Sequence, residues 1–176
     1  DNSNTTNRVF TGTAGADQIK LRAAAGGQLA IESLTSTFET VIFAIPSASL
    51  TIDAGGGDDV IEVDPLGTGV LPAITLTGGT GTDRVQITRK ADLVLSDAAL
   101  SGGGENYVLN SIEQAVVNAP ALDSAGFTGT LVYAQGAPEW VAEGPGPITG
   151  AQVAGMAAQN KPVAGAINAV LTSRDG

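Results

Sequence analysis

A glycine-rich phrase tipped with aspartate recurs along this chain, and each copy runs into a short apolar segment. The first copy is Gly12-Thr13-Ala14-Gly15-Ala16-Asp17, followed by Gln18-Ile19-Lys20-Leu21. The second is Ala54-Gly55-Gly56-Gly57-Asp58-Asp59, followed by Val60-Ile61-Glu62-Val63. The third is Gly78-Gly79-Thr80-Gly81-Thr82-Asp83, followed by Arg84-Val85-Gln86-Ile87. A worn fourth copy reads Ser101-Gly102-Gly103-Gly104-Glu105-Asn106, followed by Tyr107-Val108-Leu109. A unit that repeats at this scale cannot bury its apolar face alone, so the copies are expected to stack over one shared core.

The spacing narrows the architecture. Asp17 and Asp59 lie 42 residues apart, Asp59 and Asp83 lie 24 apart, and Asp83 and Asn106 lie 23 apart. A step of 23 or 24 residues suits one coil of a parallel β-solenoid with about three short strands. The 42-residue interval then reads as two shorter coils. A second phrase supports a repeat: Phe38-Glu39-Thr40-Val41-Ile42-Phe43 resembles Ile112-Glu113-Gln114-Ala115-Val116-Val117. Glu39 and Glu113 take matching slots, each expected at a coil corner.

Strand-like runs cover 18–21, 28–31, 40–44, 49–52, 60–63, 73–77, 84–88, 93–95 and 107–109, separated by Gly, Pro, Asp and Ser. The pairs Ile19/Leu21, Ile61/Val63, Ile74/Leu76 and Val85/Ile87 alternate with polar residues, which places one strand face in a core and the other in water. The chain is 43% hydrophobic but only 4% aromatic, so that core must be built from Val, Ile, Leu and Ala. The expected fold is all-β: a parallel β-solenoid (β-helix) of about five short coils, with a β-sandwich as the alternative.

Three segments follow from composition. Residues 1–9 read as a polar N-terminal arm and 10–143 as the β-solenoid domain. Residues 144–176 open on Gly144-Pro145-Gly146-Pro147, a linker, and continue as an Ala/Val-rich tail that serves as a cap or an assembly segment. Residues 1–7 are polar and carry no secretory leader, so the chain is expected to be a processed product or part of a longer one.

The third copy, Gly78–Gln86, fits Gly-Gly-x-Gly-x-Asp-x-(apolar)-x at every fixed position. In this it resembles the calcium-binding repeats of RTX-type regions in large secreted bacterial surface proteins and adhesins. The resemblance covers roughly residues 10–118 of the chain. It implies tight glycine turns, aspartate and turn carbonyls on calcium, and an extracellular or cell-surface location. Carried over residue by residue, it makes Asp59 and Asp83 candidate calcium ligands, with Asp58, Asp17 and Asn106 as weaker ones. The family's repeats run in tandem, whereas these copies lie 23 to 42 residues apart. The family's calcium roll therefore cannot form as such. Stacked at about 4.8 Å, Asp59, Asp83 and Asn106 would form a ladder of like charges, relieved by a hard cation or by Arg84. The alternative is that each aspartate caps its turn through backbone N–H groups.

Charge and residue usage exclude several functions. A net charge of −10 argues against a nucleic-acid partner, which needs a basic face. The chain has neither cysteine nor histidine, which excludes disulfides, zinc fingers and His-based catalysis. No apolar run is long enough to span a bilayer as a helix. Asp53, Asp58, Asp59, Glu62 and Asp64 form an acidic cluster of the kind a glycan-cleaving β-helix enzyme uses, but the aromatic residues such a site needs are not near it. Gly78–Thr82 lacks the Lys-Ser/Thr and strand–helix setting of a phosphate loop. The chain is therefore not expected to be an enzyme. It reads as a structural protein that self-associates into a homo-oligomer or filament, as a surface-layer subunit or adhesin segment. A calcium-stabilised binding or secretion module with glycan or cell-surface contact is the alternative.

Overall fold

The computed structural model describes residues 6–67 and 69–135, and every regular element among them is a β-strand. By contact the chain divides into Asp1–Pro138 and Glu139–Gly176. The expected linker and tail at 144–176 lie outside the described residues, as does most of the arm at 1–9.

The fold is all-β, in two mixed seven-stranded sheets. The spine of the first sheet is β1 (Asn7–Thr11), β5 (Ser49–Asp53), β7 (Ala73–Thr77) and β11 (Glu105–Asn110), all parallel. The spine of the second is β2 (Gln18–Ala24), β6 (Val60–Val63), β8 (Arg84–Thr88), β12 (Gln114–Ala119) and β14 (Thr130–Gln135), again all parallel. The first three glycine–aspartate phrases carry the chain from the first spine to the second: β1 to β2, β5 to β6, β7 to β8.

Alternation explains why these segments are strands. In β6, β7 and β8 every second residue is buried and the residues between are half-buried or exposed. The parallel register then aligns like with like. Ile19, Ile61, Val85 and Ala115 form one row of the second sheet, and Leu21, Val63, Ile87 and Val117 the next. In the first sheet Leu50, Ile74 and Tyr107 share a row, as do Ile52, Leu76 and Leu109. These rows face one another as one core. Burying such a side chain stabilises the fold by about 1.5–3 kcal/mol.

Two antiparallel meanders interrupt the spines, and they correct the sequence reading. The 42-residue interval does not hold two coils. After β2 the chain turns back as β3 (Gln28–Ser33) and again as β4 (Val41–Ala44), both antiparallel additions to the edge of the second sheet. The phrase at 38–43 therefore ends in an edge strand, whereas its counterpart at 112–117 leads into a central one. The second meander is β9 (Leu93–Ser96), β10 (Ala99–Gly102) and β11, paired antiparallel in the first sheet. β13 (Leu122–Gly126) then pairs parallel to β9 and forms the far edge.

The worn fourth copy of the phrase sits in this second meander. Gly102, Gly103 and Gly104 all take positive φ, at 144°, 60° and 86°, and reverse the chain from β10 into β11. Three consecutive residues in that region make a hairpin, not a crossing between sheets. The crossing from β11 to β12 is made by the shorter segment 111–113, with Ser111 at φ 49°.

The sheets touch at the β1/β4 end. The Arg8 guanidinium lies 4.2 Å from the ring centroid of Phe43, which is fully buried. Phe10 and Phe38 bring their rings to 4.8 Å. Further along, one buried arginine ties the sheets together. Arg89 donates to the carbonyls of Val63 (2.9 Å), Asp64 (3.1 Å) and Thr88 (2.8 Å), to the Tyr107 hydroxyl (3.1 Å) and to the Glu105 carboxylate.

Candidate functional site

The crossings at 12–17, 54–59 and 78–83 stack on one another. Their ends are tied by backbone bonds from Ala54 N–H to the Thr77 carbonyl (2.9 Å) and from Gly12 N–H to the Asp53 carbonyl (2.7 Å). Their middles are tied by Gly56 N–H to Thr13 (3.1 Å) and Thr80 N–H to Gly55 (3.1 Å). The approach is close enough to require glycine. At Gly79, with φ 105°, a Cβ would stand 2.0 Å from the Gly55 carbonyl oxygen.

Inside this stack runs a column of acids. Asp59 Oδ1 accepts the Asp17 N–H at 2.6 Å. Asp83 Oδ1 accepts the Asp59 N–H at 2.8 Å. Glu113 Oε2 accepts the Asp83 N–H at 2.9 Å. Each side chain thus reaches back one rung and clips the preceding turn, so the aspartates serve backbone N–H groups between turns as well as within them. Asp17, at the start, closes on its own turn: its Oδ2 accepts the Thr13 N–H (2.6 Å) and hydroxyl (2.9 Å). Asp17, Asp59 and Asp83 are at most 1% exposed.

Their ionisation differs down the column. Burial pushes Asp59 above the ordinary carboxylate range, against the pull of its bond from Asp17, and the nearby charges of Asp83, Asp17 and Asp58 push the same way. Burial likewise raises Asp83, with Glu113 and Asp58 adding to it. For Asp17 burial acts in that direction too, but the Thr37 hydroxyl and the Thr13 backbone and side chain outweigh it, and its carboxyl is held low.

The expected site residues therefore separate. Asp17, Asp59 and Asp83 come together as one column. Asp58 lies outside it, exposed, and accepts the Thr82 N–H at 2.8 Å. Asn106 is not on the ladder: it is exposed on β11, paired with Ser101, because the glycines before it form the hairpin. Glu113 takes the rung expected of Asn106, since Gln114 is in register with Arg84. The signal was present in the Ile112-Glu113 phrase, but nothing in the sequence aligned it with Asp83. Glu39 is exposed in the loop before β4 and takes no part. Arg84 makes no ion pair with Asp83.

The wider acidic cluster does not converge. Glu62 and Asp64 hold Lys20, at 2.8 Å and 3.2 Å, while Asp58 and Asp59 serve different backbone groups. Among the described residues no group of three or more Asp, Glu, His or Cys is arranged to hold a metal ion. Calcium takes six to eight oxygens at about 2.3–2.6 Å. The column instead commits one oxygen of each rung to a backbone N–H and strings the carboxyls along a line, so this donor set does not match that demand. Its unusual feature is different. Asp17 Oδ1, Asp59 Oδ2 and Asp83 Oδ2 are buried without a hydrogen-bond partner.

Comparison with protein-family models, curated proteins and solved structures returns no match for this chain.

Proposed function

We propose that this chain is a structural, self-assembling extracellular protein, built as a short parallel β-solenoid and joined to further copies through its ends. The observation that carries this reading is the direction of the edge strands. β1 and β13 edge one sheet, and β4 and β14 edge the other. Each reaches its spine through parallel pairing or through two successive antiparallel steps, so all four run with the spine. Copies stacked end to end would meet strand against strand in the same sense in both sheets. The edges are also poorly protected. Val132 on β14 is 59% exposed and Val9 on β1 is 68% exposed, where soluble proteins usually place charge or proline. The glycine turns and acid column suit the same role. They spend the polar residues on holding rungs together and leave no converging catalytic set among the described residues.

Size-exclusion chromatography with light scattering tests this. The full chain should elute as a multimer. Val132→Lys, which puts a charge on the β14 edge, should shift it towards the monomer, and so should removal of residues 1–9. A wild-type chain that stays monomeric at high concentration, or a multimer unmoved by both changes, would sink the reading.

A further inference from the structure

The four edge strands are not equally guarded. β1 carries Arg8 on its inward face, in register with the buried Leu50 and with its guanidinium over Phe43. An inward charge is one of the devices that stop a sheet from growing. β13 carries the exposed Asp123 and a break in register between Asp123 and Gly126, which bends that edge away from a flat partner. Both edges of the first sheet are thus blunted. The edges of the second sheet are not. β4 reads Val41-Ile42-Phe43-Ala44 and β14 reads Thr130-Leu131-Val132-Tyr133-Ala134-Gln135, with no charge, no proline and no break in register.

One row of the second sheet shows what these two edges fit. The register carries it through every strand, from Val41 through Ile31, Leu21, Val63, Ile87 and Val117 to Tyr133. The five inner members are at most 2% exposed. The two ends, Val41 at 40% and Tyr133 at 39%, lie open where the sheet stops. The Tyr133 hydroxyl donates to the Ala119 carbonyl at 3.1 Å, which fixes the ring at the edge before any partner arrives. Their outward neighbours are apolar too: Ile42 on β4 and Val132 on β14 are both exposed. The open ends of one apolar row, on strands that run in the same sense, complete each other when one copy follows another by translation. Tyr133 then stands beside Val41, and the buried row continues from copy to copy.

We propose that the joint between copies is made by the second sheet: β14 of one copy pairs in parallel with β4 of the next, with Tyr133 in register with Val41. This rests on the end-to-end reading above and names the strands that carry it. The contact is head to tail, since each copy offers a different edge on each side, so it propagates along the axis instead of closing on a pair. Both sheets hold seven strands. One step of seven rungs, about 34 Å at about 4.8 Å each, therefore continues the second sheet and brings β13 and β1 to adjoining rungs in the first.

Two measurements on the full chain test this. The chain has no cysteine, so single cysteines report the pairing without background. Val41→Cys and Tyr133→Cys, mixed dilute in equal amounts, then concentrated and oxidised, should give a mixed disulfide, because in-register partners on neighbouring strands lie within disulfide reach. Each variant alone should stay unlinked. Tyr133→Cys linked to itself would mean that β14 meets β14, and it overturns the proposal. So does a mixture without the mixed disulfide. The second measurement is size by light scattering. Val41→Lys and Tyr133→Lys, at positions already partly exposed, should each shift the multimer to the monomer, whereas Val70→Lys, at a 95% exposed position outside the strands, should leave it intact. A wild-type multimer that survives both edge charges overturns this proposal alone. A wild-type monomer overturns the end-to-end reading with it.

Discussion

Replacing Gly79 with alanine tests whether the glycine turns stack as tightly as described. Two costs combine. At φ 105° any Cβ is strained, at about 1–3 kcal/mol. The new atom would also stand 2.0 Å from the Gly55 carbonyl oxygen, which is backbone and cannot swing aside. The rungs must part, at the cost typical of overpacking, about 1–3 kcal/mol. The Thr80 N–H bond to that same carbonyl is strained with them, worth about 0.5–1.5 kcal/mol. Together these reach about 2.5–7.5 kcal/mol, against about 5–15 kcal/mol for a whole domain. Two controls separate the terms. Gly104 has φ 86° but open space around it, so alanine there should cost only the backbone strain, about 1–2 kcal/mol. Gly15 has neither constraint, and alanine there should be neutral or stabilise by about 0.4–1 kcal/mol. Chemical denaturation of the three variants should rank them Gly79, Gly104, Gly15 from most to least damaging. If Gly79→Ala costs no more than Gly104→Ala, the turns are not in contact and the reasoning fails.

Other substitutions probe the remaining supports. Arg89→Leu removes the guanidinium that serves three carbonyls and the Tyr107 hydroxyl, and it leaves the partly buried Glu105 without its cation. It should cost about 3–5 kcal/mol in urea unfolding, and a loss below 1 kcal/mol would place Arg89 in solvent. Phe43→Ala empties the fully buried site beneath Arg8 at the β1/β4 end. A loss of about 3–5 kcal/mol is expected in the same assay.

Much of the core was legible because its rows alternate strictly. Ile61/Val63, Ile74/Leu76 and Val85/Ile87 are buried as their period of two requires. The antiparallel meanders were not, for two reasons. Leu29, Ala30 and Ile31 are buried in succession, so β3 does not announce its sheet by alternation. Gly102–Gly104 has the composition of a crossing turn, and only three consecutive positive φ values make it a hairpin. The column was half legible. Asp17, Asp59 and Asp83 stand at one offset from their glycines, so their alignment followed from the repeat. Glu113 ends the shorter crossing 111–113, and an offset rule cannot place it. Asn106 kept the spacing but lost the position. A linear interval of 23 residues does not distinguish one rung of a stack from a hairpin beside it.

The central claim is that copies of this chain join end to end, and electron microscopy of the purified full-length protein tests it most directly. Filaments or ordered arrays with a constant axial repeat are the predicted result. A field of single, separate particles at every concentration would contradict it.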